Sequence, residues 1–168
     1  MHGSSDWVGA LAVAFSIGMA VAAGGALAHD TNGEKPTTPA GRVALARHDN
    51  YVRLGEAFQA INDELKKGKP DRALIARNAQ TVHALTGQIP TWFPKGSGQE
   101  ARPQSEARAE IWTDAAGFSA AAANMEVQTA KLQQAANGPL EALKAQAREA
   151  DATCKACHAK FRVAKDKS

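Results

Sequence analysis

Ala44, Arg47, Tyr51, Leu54, Phe58, Ile61 and Leu65 follow one another at intervals of 3, 4, 3, 4, 3 and 4 residues. That alternation puts seven side chains on one stripe of a helix, the seam of a helix packed in a bundle. Gly68 and Pro70 end the stretch. Asp71 is placed to cap a second helix with inward positions Ile75, Asn78, Val82 and Leu85, ending at Gly87. A third helix is predicted from about Ser105 to Asn137, with Ile111, Ala115, Phe118, Ala122, Met125, Thr129, Leu132 and Ala136 on its seam. Asn137-Gly138-Pro139 closes it, and a fourth carries Leu140, Leu143, Ala147, Ala150, Cys154, Cys157 and Phe161 in the same rhythm. No stretch alternates with period 2 for long enough to be a strand.

Short connections join the first helix to the second and the third to the fourth. The second-to-third link, Gly87 to Pro103, is long and carries Pro90, Trp92, Phe93, Pro94, Gly96 and Gly98. It reads as a packed crossover loop with Trp92 and Phe93 as lids on the core. The fold expected is all-α, an antiparallel four-helix bundle.

Composition narrows the function classes. The chain of 168 residues suits one domain, and 44% apolar residues are enough for a core. A net charge of +3 is too mild and too scattered for nucleic acid. Two cysteines exclude a disulfide scaffold and any four-cysteine metal site made by one chain.

From Trp7 to Ala28 there is no charge, and Ala26 and Ala28 fit the small-residue cleavage pattern of a secretory signal. The region before it, Met1 to Asp6, contains no Lys or Arg, which a signal usually has. An uncleaved anchor is the rival, since 22 residues of helix span roughly 33 Å. Both readings place the domain outside the cytoplasm, in the periplasm. The organisation is then a signal peptide or anchor at 1–28, a flexible leader at 29–40, and the bundle at 41–168.

Cys154-Lys155-Ala156-Cys157-His158 is the C-x-x-C-H attachment motif of c-type haem. Two thiols must add across the two vinyl groups on one porphyrin edge, and the next residue must bring an imidazole to the iron. On a helix Cys154 and Cys157 share a face, and His158 lies four residues after Cys154. A redox dithiol would want the motif at the start of a helix, where the dipole lowers the thiol pKa. A zinc site would need a further ligand from His29, His48 or His83, and a plain disulfide leaves His158 without a purpose. Covalent haem c with His158 as the metal ligand, one per chain, is the cofactor expected. No acid–base pair, Ser/His/Asp set or phosphate loop lies beside the motif, so an enzyme is not expected.

Cys154 to Arg162, near the end of a fourth helix, resembles the class II c-type cytochromes, cytochrome c-prime and its low-spin relatives. Arg47 with Leu54-Gly55-Glu56-Ala57-Phe58, Trp92-Phe93-Pro94-Lys95-Gly96-Ser97-Gly98, and Glu110-Ile111-Trp112 agree, so the resemblance covers roughly Gly41 to Lys165. It implies a four-helix bundle with one covalent haem, often paired into a homodimer, and places Arg47 and Arg162 near the haem. Arg47 also stands out as a charge at a seam position. It is expected to meet a propionate, against the alternative of a snorkelling surface arginine.

Function turns on the sixth iron position. In the low-spin relatives a methionine fills it, four residues after the equivalent of Arg47; this chain has Tyr51 there. After signal removal the remaining methionine is Met125, read as a core filler. His48 and His83 are read as surface residues. A protonated phenol is a poor iron ligand, but it can block the site and offer a hydrogen bond to a bound diatomic. The expectation is a five-coordinate, high-spin haem with Tyr51 distal, binding NO or CO in the ferrous form and serving electron transfer. The alternative is a low-spin, six-coordinate electron carrier with no gas-binding role. Lys155, Lys160, Arg162, Lys165 and Lys167 form a basic end that either steers an acidic redox partner or merely complements the helix dipole.

Overall fold

The computed structural model describes residues 35–164. The signal or anchor segment and most of the leader lie outside the described residues. Helix α1 (Pro39–Leu65) starts two residues inside the predicted leader. Thr38 is its N-cap, its hydroxyl accepting from Gly41 N at 3.0 Å, and Pro39 occupies the first turn, where no N–H is needed.

Helix α2 (Arg72–Thr86) is capped by Asp71, whose carboxylate accepts from Leu74 N at 2.9 Å. The buried Glu64 carboxylate accepts from Asp71 N at 2.9 Å and pairs with Lys67, which fastens the α1–α2 turn. On α2 the inward row is Ile75, Ala79, Val82 and Leu85. Asn78, expected on the seam, is half-buried and turns its amide back to Leu74 O. The small Ala79 lets α2 pack closely in its place.

The predicted third helix is broken. A short helix α3 (Glu110–Thr113) precedes α4 (Ala115–Ala135), and Ser105 to Ala109 is not helical. Asp114 interrupts the run with φ −118° and ψ 58°, and its carboxylate accepts from Gly117 N at 3.0 Å to cap α4. A Cβ at residue 117 would stand 2.2 Å from that carboxylate, so the cap needs glycine there. Ala115, beside the break, is exposed, whereas Phe118, Ala122, Met125, Thr129 and Leu132 are buried as the spacing predicts.

Helix α5 (Leu140–Phe161) follows Pro139. α1 packs on α2, α2 on α4 and α4 on α5, while the backbones of α1 and α5 scarcely approach one another. Arg72 ties the start of α2 to the α4–α5 turn by donating to Ala136 O at 2.8 Å. Among the described residues there is no strand; one isolated antiparallel bridge joins Ala107 to Arg162. The four long helices form the bundle expected.

The core has two ends. One is aliphatic, with Ile61, Ile75, Val82, Leu132 and Leu143. The other is aromatic and gathers Trp92, Phe118 and Phe161 around Leu54, Leu85 and Met125. The crossover loop enters through a 3-10 turn (Ile89–Trp92), burying Trp92 with Phe93 half-buried beside it, so both act as the lids expected. The sequence motif lies at this aromatic end.

Candidate haem site

Cys154 and Cys157 sit one turn apart on α5, both as free thiols, and both pack on the aromatic end of the core. The Cys154 Sγ lies 3.6 Å from Met125 Sδ. Burial pushes the Cys154 thiol up to about 11, with the Asp151 carboxylate adding to the rise. Burial also raises Cys157. A redox dithiol needs the opposite shift, and both side chains pack on the apolar cluster.

His158 is exposed on the outer side of the same turn. Desolvation lowers its proton affinity, Arg162 lowers it further, and Glu106 raises it. A neutral imidazole is the form that ligates iron. With Arg108, Arg162 and Val163 it lines a cavity of about 430 Å³. Among the described residues no three His, Cys, Asp or Glu side chains converge into a metal cage; His29, one of the further ligands a zinc site could draw on, lies outside them.

Tyr51, on α1, faces the thiols from across the aromatic cluster. Its ring meets Trp92 edge-on at 5.2 Å and Phe93 at 6.3 Å. Burial raises its phenol well above the ordinary value, and the nearby thiols add to this. The phenol is therefore protonated at any physiological pH. Among the described residues its hydroxyl has no hydrogen-bond partner.

Arg47 is buried, at 5% exposure, as its seam position implies. Its guanidinium donates four hydrogen bonds: Nη1 to Trp92 O at 3.1 Å and Ser97 Oγ at 3.0 Å, Nη2 to Ser97 O at 2.7 Å and Ser105 Oγ at 3.0 Å. Its face also rests 4.5 Å above the Phe93 ring. The snorkelling reading is thus corrected. The partners the structure gives Arg47 lie between residues 92 and 105, and its Nε–H is not engaged by them. Ser97 and Ser105 were not singled out from the sequence; their role depends on an arginine about fifty residues away.

The basic end is also altered. Lys155 pairs with Asp151, Lys160 with Asp114, and Arg162 with Glu106. Each of these three cations faces a carboxylate, so they do not form a bare positive patch; Lys165 and Lys167 lie outside the described residues. Met125 is buried against the thiol end, as a core filler should be. His83 departs from expectation: it is half-buried, and its Nδ1 is enclosed without a hydrogen-bond partner.

Two free thiols on one helical face, packed on an apolar aromatic cluster, and an exposed imidazole in the next position fit a covalently held haem. Comparison with known proteins agrees. A family model described as Cytochrome C' matches residues 42–162. Cytochrome c-554 of Cereibacter sphaeroides is 30% identical over 123 residues, covering 72% of this chain and 80% of that protein. Cytochrome c' of Alcaligenes xylosoxydans xylosoxydans is 36% identical over 121 residues, covering 71% and 91%. A nitric oxide complex of a variant of cytochrome c prime from Alcaligenes xylosoxidans superposes with a TM-score of 0.67 at 28% identity, covering 74% of this chain and 97% of that one.

Proposed function

Because the chain belongs to the cytochrome c' family and is a c-type haem protein, we propose that it serves periplasmic electron transfer with a five-coordinate, high-spin haem open to NO or CO. One observation carries this reading: Tyr51, a protonated phenol without a hydrogen-bond partner among the described residues, stands on α1 where a ligating methionine would make the site low-spin. Met125, the methionine of the described residues, lies against Cys154 instead. The solved nitric oxide complex of a relative supports the gas-binding part.

When bound, the haem supplies one-electron Fe(III)/Fe(II) cycling and, in the ferrous state, affinity for small diatomic gases. Cys154 and Cys157 would hold it by two thioethers, and His158 would hold the iron. Trp92, Phe93 and Phe118 shield the thiol end of the core from water, with Phe93 and Phe118 packed edge-on at 4.9 Å. Tyr51 crowds out larger ligands and keeps an O–H free to donate to a bound gas. The role is that of a carrier, not an enzyme. Export to the periplasm accompanies the reading, because c-type attachment takes place outside the cytoplasm. Pairing into a homodimer is part of the same proposal, and light scattering on the purified protein tests it.

Spectra of the reduced protein with and without CO decide the central point. A Soret band shifted and sharpened by CO is expected. A sharp low-spin α band unmoved by CO would establish the six-coordinate carrier instead.

A further inference from the structure

The turn bearing His158 is fastened by a segment from elsewhere in the chain. Residues 106–108 run beside 161–163: Val163 N donates to Glu106 O at 2.8 Å, and Arg108 N donates to Phe161 O at 3.1 Å. These two main-chain bonds flank the bridge and fix the register. The Glu106 carboxylate accepts from Arg162, paired with its Nε and Nη2 together. Both nitrogens share one oxygen, Oε2, which holds the guanidinium close to the carboxylate. Arg162 lines the same cavity as His158. The second arginine of that cavity, Arg108, is held by Glu110 through both carboxylate oxygens, with Nε to Oε2 at 3.1 Å and Nη2 to Oε1.

We propose that Glu106 is a positioning residue for the iron centre: it orients Arg162 on the His158 side and offsets its charge, so that the reduction potential lies below the value the arginine alone would impose. A fixed cation near the iron favours the Fe(II) state, and a carboxylate beside the cation cancels most of that field. The pair is more than a third exposed on both sides, so its effect is screened by salt. The bridge itself is main-chain, and replacing the carboxylate by an amide leaves it intact. This inference rests on the haem reading above, which the pyridine haemochrome of the wild-type protein tests separately.

The experiment is spectroelectrochemistry of the haem-loaded protein, with thermal melting alongside. E106Q should raise the midpoint potential, R162Q should lower it, and the double variant should return close to wild type. The E106Q shift should shrink in about 0.5 M salt, where the Debye length falls to a few ångströms. A melting temperature that drops in E106Q while the potential stays unmoved would overturn the proposal, leaving Glu106 a structural stitch only. If E106Q does not fold, the comparison passes to R162Q and the double variant. There the double variant must lie above R162Q; equal potentials would overturn the proposal.

Discussion

Two hydrogen bonds of Arg47 end on a single residue: Nη1 donates to the Ser97 hydroxyl at 3.0 Å and Nη2 to the Ser97 carbonyl at 2.7 Å. With the bonds to Trp92 O and Ser105 Oγ, one side chain of α1 organises both limbs of the crossover loop. Gly96, with φ +77°, makes the sharp turn that brings Ser97 inward. Replacing Arg47 by leucine strands two buried carbonyls, each costing about 1–3 kcal/mol. Relief of the arginine's own desolvation offsets part of this. A net loss of about 2–4 kcal/mol in denaturant unfolding is expected, with faster proteolysis between residues 93 and 105. Arg47→Lys should recover less than half of it, because an ammonium cannot reproduce the fork. A lysine variant as stable as wild type would show that charge alone holds the loop.

Tyr51 is the single tyrosine of the chain, so it can be titrated without ambiguity. Its pKa in the folded state is raised above the ordinary value of 10.0, chiefly by burial. The folded protein therefore holds the proton more tightly than the unfolded chain. Its contribution to stability is fully present below about pH 10 and is lost as pH rises from there through the folded value. Denaturant midpoints should fall more steeply above pH 10 in wild type than in Tyr51→Phe. Parallel curves would contradict a buried phenol.

Tyr51→Phe also probes the gas site. Loss of one hydrogen bond of about 1 kcal/mol should speed CO release roughly fivefold, read by flash photolysis. The high-spin spectrum should persist, since the phenol is not taken to ligate iron. Tyr51→Met should instead produce a low-spin spectrum insensitive to CO. If both variants keep the wild-type spectrum and CO kinetics, Tyr51 does not face the open coordination position.

Cys157→Ala should leave one thioether through Cys154 and shift the pyridine haemochrome α band to longer wavelength. Removing both cysteines should abolish covalent haem, seen as loss of haem staining on a denaturing gel. Haem retained after the double change would break the account of the site.

The four long helices were legible because burial is periodic, and Leu54, Ile61, Phe118, Leu132 and Leu143 lie where the heptad grid puts them. The break at Asp114 was not predicted. The spacing of Ile111 and Phe118 suits an unbroken helix, although Asp114 followed by Gly117 is a capping signal that could have been noticed. Ser105 to Ala109 leaves the helix because its backbone bonds to the end of α5, a pairing without local signature. The cysteines and His158 were readable as a motif. The partners of Arg47, Lys160 and Arg162 were not, because each comes from an element distant in sequence.

The wide spacing of the α1 and α5 backbones, bridged by side chains of the two core clusters, has a consequence for how such a protein responds to dilution. A group that packed between them and bound reversibly would be lost as its concentration fell. Thioether bonds from α5 would remove concentration from the problem. The haem would become a permanent side chain of the last helix, and the finished molecule would keep its packing at nanomolar as at millimolar levels.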